Sequence, residues 1–441
     1  MRVLIMIAAL ATSVLTPLAS AQQSVLHIGT LHAVPGQPPI ERATVLVVDG
    51  TIDSVERGYR SPDDLGVPDA TTIDLTDHHA TPGLIDCHTH ITGQSVPVFE
   101  RMRRAMQETE AYSAIDGVVY AERTLMAGFT TVRNVGSGGS TGYALRDRIN
   151  RGMIPGPRMF ISGPAVSVTG GHGDGTNALS PVLRPDQGPQ TAPADGPSEV
   201  RKAVRARVRE GSDLIKITAT GGVLSMTAAG VEQQFMQDEL EAIVTSANMM
   251  GRKVAAHAHG VTGINAALRA GVDSIEHGTY LNDESIELFL ETGAYLVPTI
   301  HAGKFVARKA EEQDYYPPEI REKASAVGPV IQGAFGRAHA AGVKVAFGTD
   351  VGVGDHGTNA LEFVYMHEAG MTPQDCLISA TVNAAELIGA ADQLGTIEPG
   401  KHADLIAMRR NPMDDVRAYQ DLDFIMKAGT VYKNTTKKTG K

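Results

Sequence analysis

Two histidines one residue apart, His88 and His90 in Asp86-Cys87-His88-Thr89-His90, are the first residues of the chain whose spacing could do chemistry. On an extended strand, side chains two apart point the same way, so both imidazoles can face one spot. The pattern recurs as His257-Ala258-His259, as Glu276-His277-Gly278 and as Thr349-Asp350, each closing a short apolar run. Imidazole and carboxylate ligands suit zinc and similar divalent ions. A lone histidine at a strand end is more often structural. The weight here lies in ligand-type residues recurring at the same end of successive strand-like runs. Lys216, between Ile215 and Ile217, is the odd member. An ammonium in such an apolar run is costly to bury, and it must lose its proton or find a partner.

The elements that would carry these residues alternate. Strand-like runs fall at 80–86, 130–136, 158–163, 213–219, 253–259, 273–278, 294–300 and 344–350, with helical stretches such as 111–127, 198–210, 237–250, 261–270 and 320–341 between most of them. Eight strand-then-helix units predict an α/β fold, a (β/α)8 TIM barrel, whose chemistry sits at the C-terminal ends of its strands. A doubly wound open sheet is the alternative. It would need a phosphate loop, and VGSGGSTG at 135–142 lacks the G-x-G-x-x-G spacing. Both chain ends are β-rich, at 25–33 and 43–56 and again at 402–408 and 424–434, with Asp49-Gly50 as a hairpin signal. They predict a small β-sandwich formed by both chain ends, so that 22–79 and 393–441 flank a catalytic barrel at 80–392. Residues 164–197 are rich in Gly and Pro and show no periodicity. Following the third strand, they would lie over the barrel mouth.

Composition bounds the function. With 441 residues, 42% hydrophobic and 20% charged, the chain can bury a large core and is not disordered. A net charge of −11 excludes nucleic acid as a partner, and the densest cationic run, Arg201 to Arg209, reads as an exposed helix face. Cys87 and Cys376 form no disulfide framework and read as core residues, while His78 and His79 read as exposed. Residues 1–21 combine Arg2, an apolar run and Ala19-Ser20-Ala21, which predicts a signal peptide cleaved after Ala21. The expected mature protein is periplasmic or secreted, with no stable membrane anchor.

The chain resembles the amidohydrolase superfamily of binuclear metal hydrolases. The motifs that carry the resemblance are PGLIDCHTH (82–90), LIKI (214–217), AHAHG (256–260), SIEHG (274–278), FGTD (347–350) and GTIEPGKHADL (395–405). The wording is most similar to the branch of Xaa-Pro-dipeptidase-like and imidazolonepropionase-like enzymes. Secreted members there include carboxypeptidase-type amide hydrolases, some acting on ochratoxin. The resemblance implies two divalent metal ions, zinc being the expected pair. His88, His90 and Asp350 would hold one; His257 and His277 would hold the second. Lys216, carrying CO2 as a carbamate, would bridge them. It also implies amide hydrolysis of an N-acyl amino acid or dipeptide-like small molecule by a hydroxide between the metals, with Asp350 as general acid and base. Cyclic amide, lactone or phosphotriester cleavage on the same site is the alternative, and a scaffold with a dead site is the non-enzymatic one. A homo-oligomer, up to an octamer, is implied as well.

Substrate contacts are expected from His172 in the Gly-rich loop, His259, His301 after the seventh strand, Tyr143 and Phe235. Phe235 lies near where related dipeptidases carry a tyrosine, so one hydroxyl is missing and a more apolar wall is expected there.

Overall fold

The computed structural model describes residues 22–177, 179–184, 188, 193–226 and 230–436. The expected leader, 1–21, lies outside them, as does part of the 164–197 stretch. Among the described residues fourteen strands run in chain order: β1 (Gln23–Leu31), β2 (Ile40–Val48), β3 (Thr51–Arg57), β4 (Thr71–Pro82), β5 (Leu84–Thr89), β6 (Phe129–Asn134), β7 (Arg158–Ile161), β8 (Ile215–Thr218), β9 (Val254–Ala258), β10 (Ser274–His277), β11 (Tyr295–Val297), β12 (Leu405–Met408), β13 (Phe424–Lys427) and β14 (Thr430–Asn434).

Strands from the two ends of the chain share one seven-stranded sheet, in the order β14-β13-β12-β4-β1-β2-β3. The two-residue turn between β2 and β3 places Asp49 and Gly50 at φ 48° and 80°, the geometry a tight hairpin requires. Alternation along the strands puts Leu26, Ile28, Val45, Val47, Leu405 and Ala407 into one shared apolar core. Thr51 of β3 bridges to His402, just ahead of β12, so the β3 edge of this single sheet curls back toward β12. His78, expected on the surface, is buried in β4 between Asp77 and Asp423.

The central strands form two parallel sheets, β5-β6-β7 and β8-β9-β10-β11. Single bridges rather than ladders join them. Val166, past β7, bridges to Ile217 of β8, where Pro164 just upstream has no N–H to offer. On the other side the eighth run, 344–350, forms no ladder strand. It bridges Leu296 to Val345 and Thr89 to Val351, and Cys87 N donates to Phe347 O at 2.8 Å. At its end Asp350 turns to the left-handed region, φ 58°. The result is the barrel-type α/β architecture, with helices such as 196–210, 237–249, 261–270, 300–310 and 318–340 packed around it. Leu84, Phe129, Ile215, Val254, Ile275, Leu296 and Phe347 belong to its main core, as does Cys376. Gly83 lets β4 pass straight into β5, because a Cβ there would sit 2.3 Å from Thr130 Oγ1. The cationic run lies on helix 196–210 as expected, except that Arg207 is fully buried and donates through Nε to Pro164 O at 2.7 Å. Among the described residues no helix is long and apolar enough to cross a membrane.

Candidate metal centre

The strand ends converge. His88, His90 and Asp350 bring one ligand atom each within 4.8 Å of one another, and His257, His259 and His277 do the same beside them. Asp350 Oδ1 lies 3.3 Å from His90 Nε2 and 3.7 Å from His88 Nε2. The rings of His88 and His277 are 5.0 Å apart, so the two groups adjoin. All six line one cavity of about 320 Å³, together with Lys216.

Each ring is aimed by a hydrogen bond on its outer side. His88 Nδ1 meets Glu276 Oε2 at 2.7 Å, and His90 Nδ1 donates to Gly136 O at 3.1 Å. His259 and His277 use Nδ1 on Thr279 and Thr299 at 2.8 and 2.7 Å. These four leave Nε2 for the cavity. His257 is held the other way round, with Nε2 donating to Gly221 O at 3.3 Å, so its Nδ1 is the free nitrogen. Burial holds His88, His257 and His277 well below the usual imidazole range, with neighbouring cations and rings adding to it, and takes His259 and His172 down to about 3. Neutral imidazoles with free lone pairs are the ligand state of histidine.

Among the described residues three buried polar atoms of cavity residues have no hydrogen-bond partner, His172 Nδ1 among them. Lys216 Nζ is buried with no hydrogen-bond partner, and burial pushes its amine down to about 8. Asp350 Oδ1 also makes no hydrogen bond. Buried polar atoms are rarely left so, and each calls for an explanation. Cations between the two groups would satisfy the carboxylate and the imidazoles at once. The residues present therefore fit a pair of divalent ions.

Sequence reasoning missed the support beneath. Glu276 is fully buried and takes hydrogen bonds from Arg133 Nη2 at 2.8 Å and Ser274 Oγ at 2.6 Å as well as meeting His88. Arg133 in turn donates through Nε to Cys87 O at 2.6 Å. The signal was available: Arg133 and Glu276 are opposite charges inside two strand-like runs that must both be buried. Asp86 ties β5 to the eighth segment through Thr349 Oγ1 at 2.6 Å and Asn359 Nδ2 at 2.8 Å, and burial raises its carboxyl to about 6. Outer partners of this kind typically hold about 10–100-fold of metal affinity. Glu276→Gln is expected to weaken metal binding by about that factor. Titration against a competing chelator measures it, and unchanged affinity would refute the orienting role.

The expected substrate contacts divide. His172 lines the cavity and stacks on His257 with ring centroids 4.3 Å apart. His259 lines it too, and lies as close to His277 as His257 does, so proximity alone does not separate the two. The structure places the other three off the cavity wall. Phe235 is buried in the main apolar core, not on the cavity wall. The Tyr143 hydroxyl is turned to Ser212 Oγ at 2.8 Å, away from the cavity. His301 opens helix 300–310 with its ring on Thr358 at 2.9 Å, and its neighbours Ala302 and Gly303 line the cavity instead. All three follow strand ends, where no strand period sets the direction of a side chain. Cys87 lies in an apolar cluster behind the site, as expected.

Residues 79–436 match the amidohydrolase family. Ochratoxinase from Aspergillus niger is 34% identical over 369 residues, 80% of this chain and 75% of that protein, and its crystal structure superposes with a TM-score of 0.80 at 30% identity over 94% of this chain and 96% of that one. A crystal structure of a Xaa-Pro dipeptidase with methionine bound in the active site superposes with a TM-score of 0.89 at 41% identity, over 93% of this chain and all of that one. Imidazolonepropionase from Rhizobium rhizogenes is 26% identical over 396 residues, 85% of this chain and 88% of that protein. The chain belongs to the amidohydrolase family. It is an enzyme, a hydrolase acting on amide bonds.

Proposed function

We propose that the protein cleaves the amide bond of an N-acyl amino acid or dipeptide-like molecule, as a carboxypeptidase or dipeptidase does. One observation carries the reading: a single cavity holds both ligand groups and Lys216, and its remaining wall is aliphatic, built from Val223, Leu224, Val306, Val327, Ile331 and Val353. Such a wall suits an apolar acyl group or side chain beside the scissile bond. The likeness to ochratoxinase and to the Xaa-Pro dipeptidase structure supports amide substrates with a free carboxylate, bulky aromatic amides among them. The aromatic preference no longer draws on Phe235, since that ring is in the core.

His88, His90 and Asp350 would hold one ion, His257 and His277 the other, and Lys216 would stand between them. Two divalent ions, zinc being the expected pair, supply Lewis-acid polarisation of water and of the scissile carbonyl when bound. The chain's own groups do the rest. Lys216, whose amine burial brings down to about 8, would add CO2 at Nζ through its deprotonated form, forming an N–C bond and releasing a proton, and the carbamate would set an anion among the ligands. Asp350, with Oδ1 free of hydrogen bonds, takes the proton of the attacking water and returns it to the leaving amine nitrogen. His172, stacked on His257, closes the cavity on the loop side and is placed to touch substrate. A metal chelator is expected to abolish amide hydrolysis and to lower the melting temperature, and added zinc to restore both. Turnover that survives complete metal removal would end this reading, as would a purified zinc-loaded enzyme that cleaves only lactones or phosphotriesters.

Assembly into a homo-oligomer is part of the proposal. Phe99, Met102 and Met106 on helix 98–107 and Tyr112, Ile115 and Val119 on helix 110–126 are all exposed, large apolar side chains on two consecutive helices that an interface would cover. A second copy is the expected cover. Sedimentation as a monomer at micromolar concentration would exclude it.

A further inference from the structure

A second chamber, of about 540 Å³, adjoins the metal cavity and shares His90, Leu224 and Val353 with its wall. Its character is different. Helix 98–107 turns Val98, Arg101, Arg104 and Ala105 into it, positions i, i+3, i+6 and i+7 on one face of that helix. The carboxylates nearby are engaged: Glu108 with Arg103 at 3.4 Å, Asp116 with Arg104 at 3.7 Å, and Glu110 with Ser140 N at 3.2 Å. Arg101 makes no ion pair among the described residues. Across the chamber Tyr316 is 5% exposed, and its hydroxyl makes no hydrogen bond. An unpaired guanidinium and an unbonded buried hydroxyl thus face one space that shares a wall with the cavity of the candidate ligands.

The metal cavity lacks what this chamber has. Among the described residues its only cationic side chain is Lys216, which stands among the ligands, and no arginine lines it. A free carboxylate on a substrate would find no partner there.

Building on the amide-hydrolase reading above, we infer that the second chamber is the carboxylate subsite: Arg101 and Tyr316 bind the terminal carboxylate of the leaving amino acid while the scissile amide lies past His90 and Val353 in the metal cavity. Guanidinium pairs with carboxylate through two parallel N–H donors, and the phenol adds a third. Arg101 and Tyr316 are then specificity residues, selecting acids over neutral amides and taking no part in bond cleavage.

The test compares an N-acyl amino acid with its C-terminal carboxamide on the zinc-loaded enzyme. Arg101→Ala is expected to raise KM for the acid about 10–100-fold with kcat little changed, to leave the carboxamide unaffected, and to be partly rescued by Arg101→Lys. Tyr316→Phe should act in the same sense, more weakly. Equal losses on acid and carboxamide, or no change on either, would overturn the assignment. Should the wild-type enzyme cleave neither compound, the parent reading fails on its own, and calorimetry with N-acetylleucine still decides the subsite. Binding weakened about tenfold or more by Arg101→Ala supports it; binding equal to wild type refutes it.

Discussion

Asp350→Asn is expected to lower kcat/KM for amide hydrolysis by about 10²–10⁴-fold, the usual contribution of a positioned acid and base. The substitution isolates that role well. Asparagine keeps the size and one ligand oxygen, and among ordinary residues it is one of the few that tolerate the left-handed backbone Asp350 adopts at φ 58°. The fold and the aim of the side chain should survive. What is lost is the site that accepts a proton, together with part of the charge facing His88 and His90. Metal content measured beside the kinetics separates the two losses. A variant that keeps both ions and near-full activity would show that the proton travels by another route.

Lys216→Ala is expected to go further and remove measurable activity. The argument is electrostatic. A bare amine at this position, buried and without a hydrogen-bond partner, has no stabilising role the fold can use. As an anion it would neutralise part of the charge of two adjacent dications. Its loss leaves ligands from opposite sides of the cavity with nothing joining them. Alanine also opens space for a small carboxylate, so acetate or propionate should restore a fraction of the activity, more so in zinc-supplemented buffer. Lys216→Met, which fills the space without charge, should be inactive, beyond rescue, and at least as thermally stable as the metal-free parent, because a buried unpaired amine has been replaced by a hydrophobe. Substantial activity in the alanine variant, or intact metal content with no response to carboxylates, would remove Lys216 from the bridging position.

How much of this could be read beforehand follows from how each residue is directed. His88, His90, Lys216, His257 and His277 lie on or at the ends of strands, where a two-residue period fixes the facing side, and the structure brings them into one cavity with Asp350. Phe235, Tyr143 and His301 follow strand ends in irregular or helical segments, where no period fixes direction, and they face elsewhere. The buried pair Arg133 and Glu276 escaped notice because each, taken alone, resembles an ordinary polar residue near a strand end. Only their joint placement in buried strands marks them. Among the elements, the alternation of strands and helices was legible, and so was the return of the C-terminal strands to the N-terminal ones through β12 and β4. The eighth run was not legible as a bridge-only segment, since its composition is that of a strand.

His277, Thr299 and Asp350 all line the metal cavity, and all three hold left-handed backbone without being glycine, at φ 74°, 53° and 58°. Conformations of this kind typically cost about 1–3 kcal/mol each, against a whole-protein margin of roughly 5–15 kcal/mol. Glycine would relieve the tension at any of them but would delete the imidazole, hydroxyl or carboxylate the position exists to present. The rim is therefore under load in its resting state, and the rest of the molecule must be overbuilt to keep it so. Ions gripping His277 and Asp350 would carry part of that load, which makes cation loading a late structural rivet for the fold as well as a requirement for turnover.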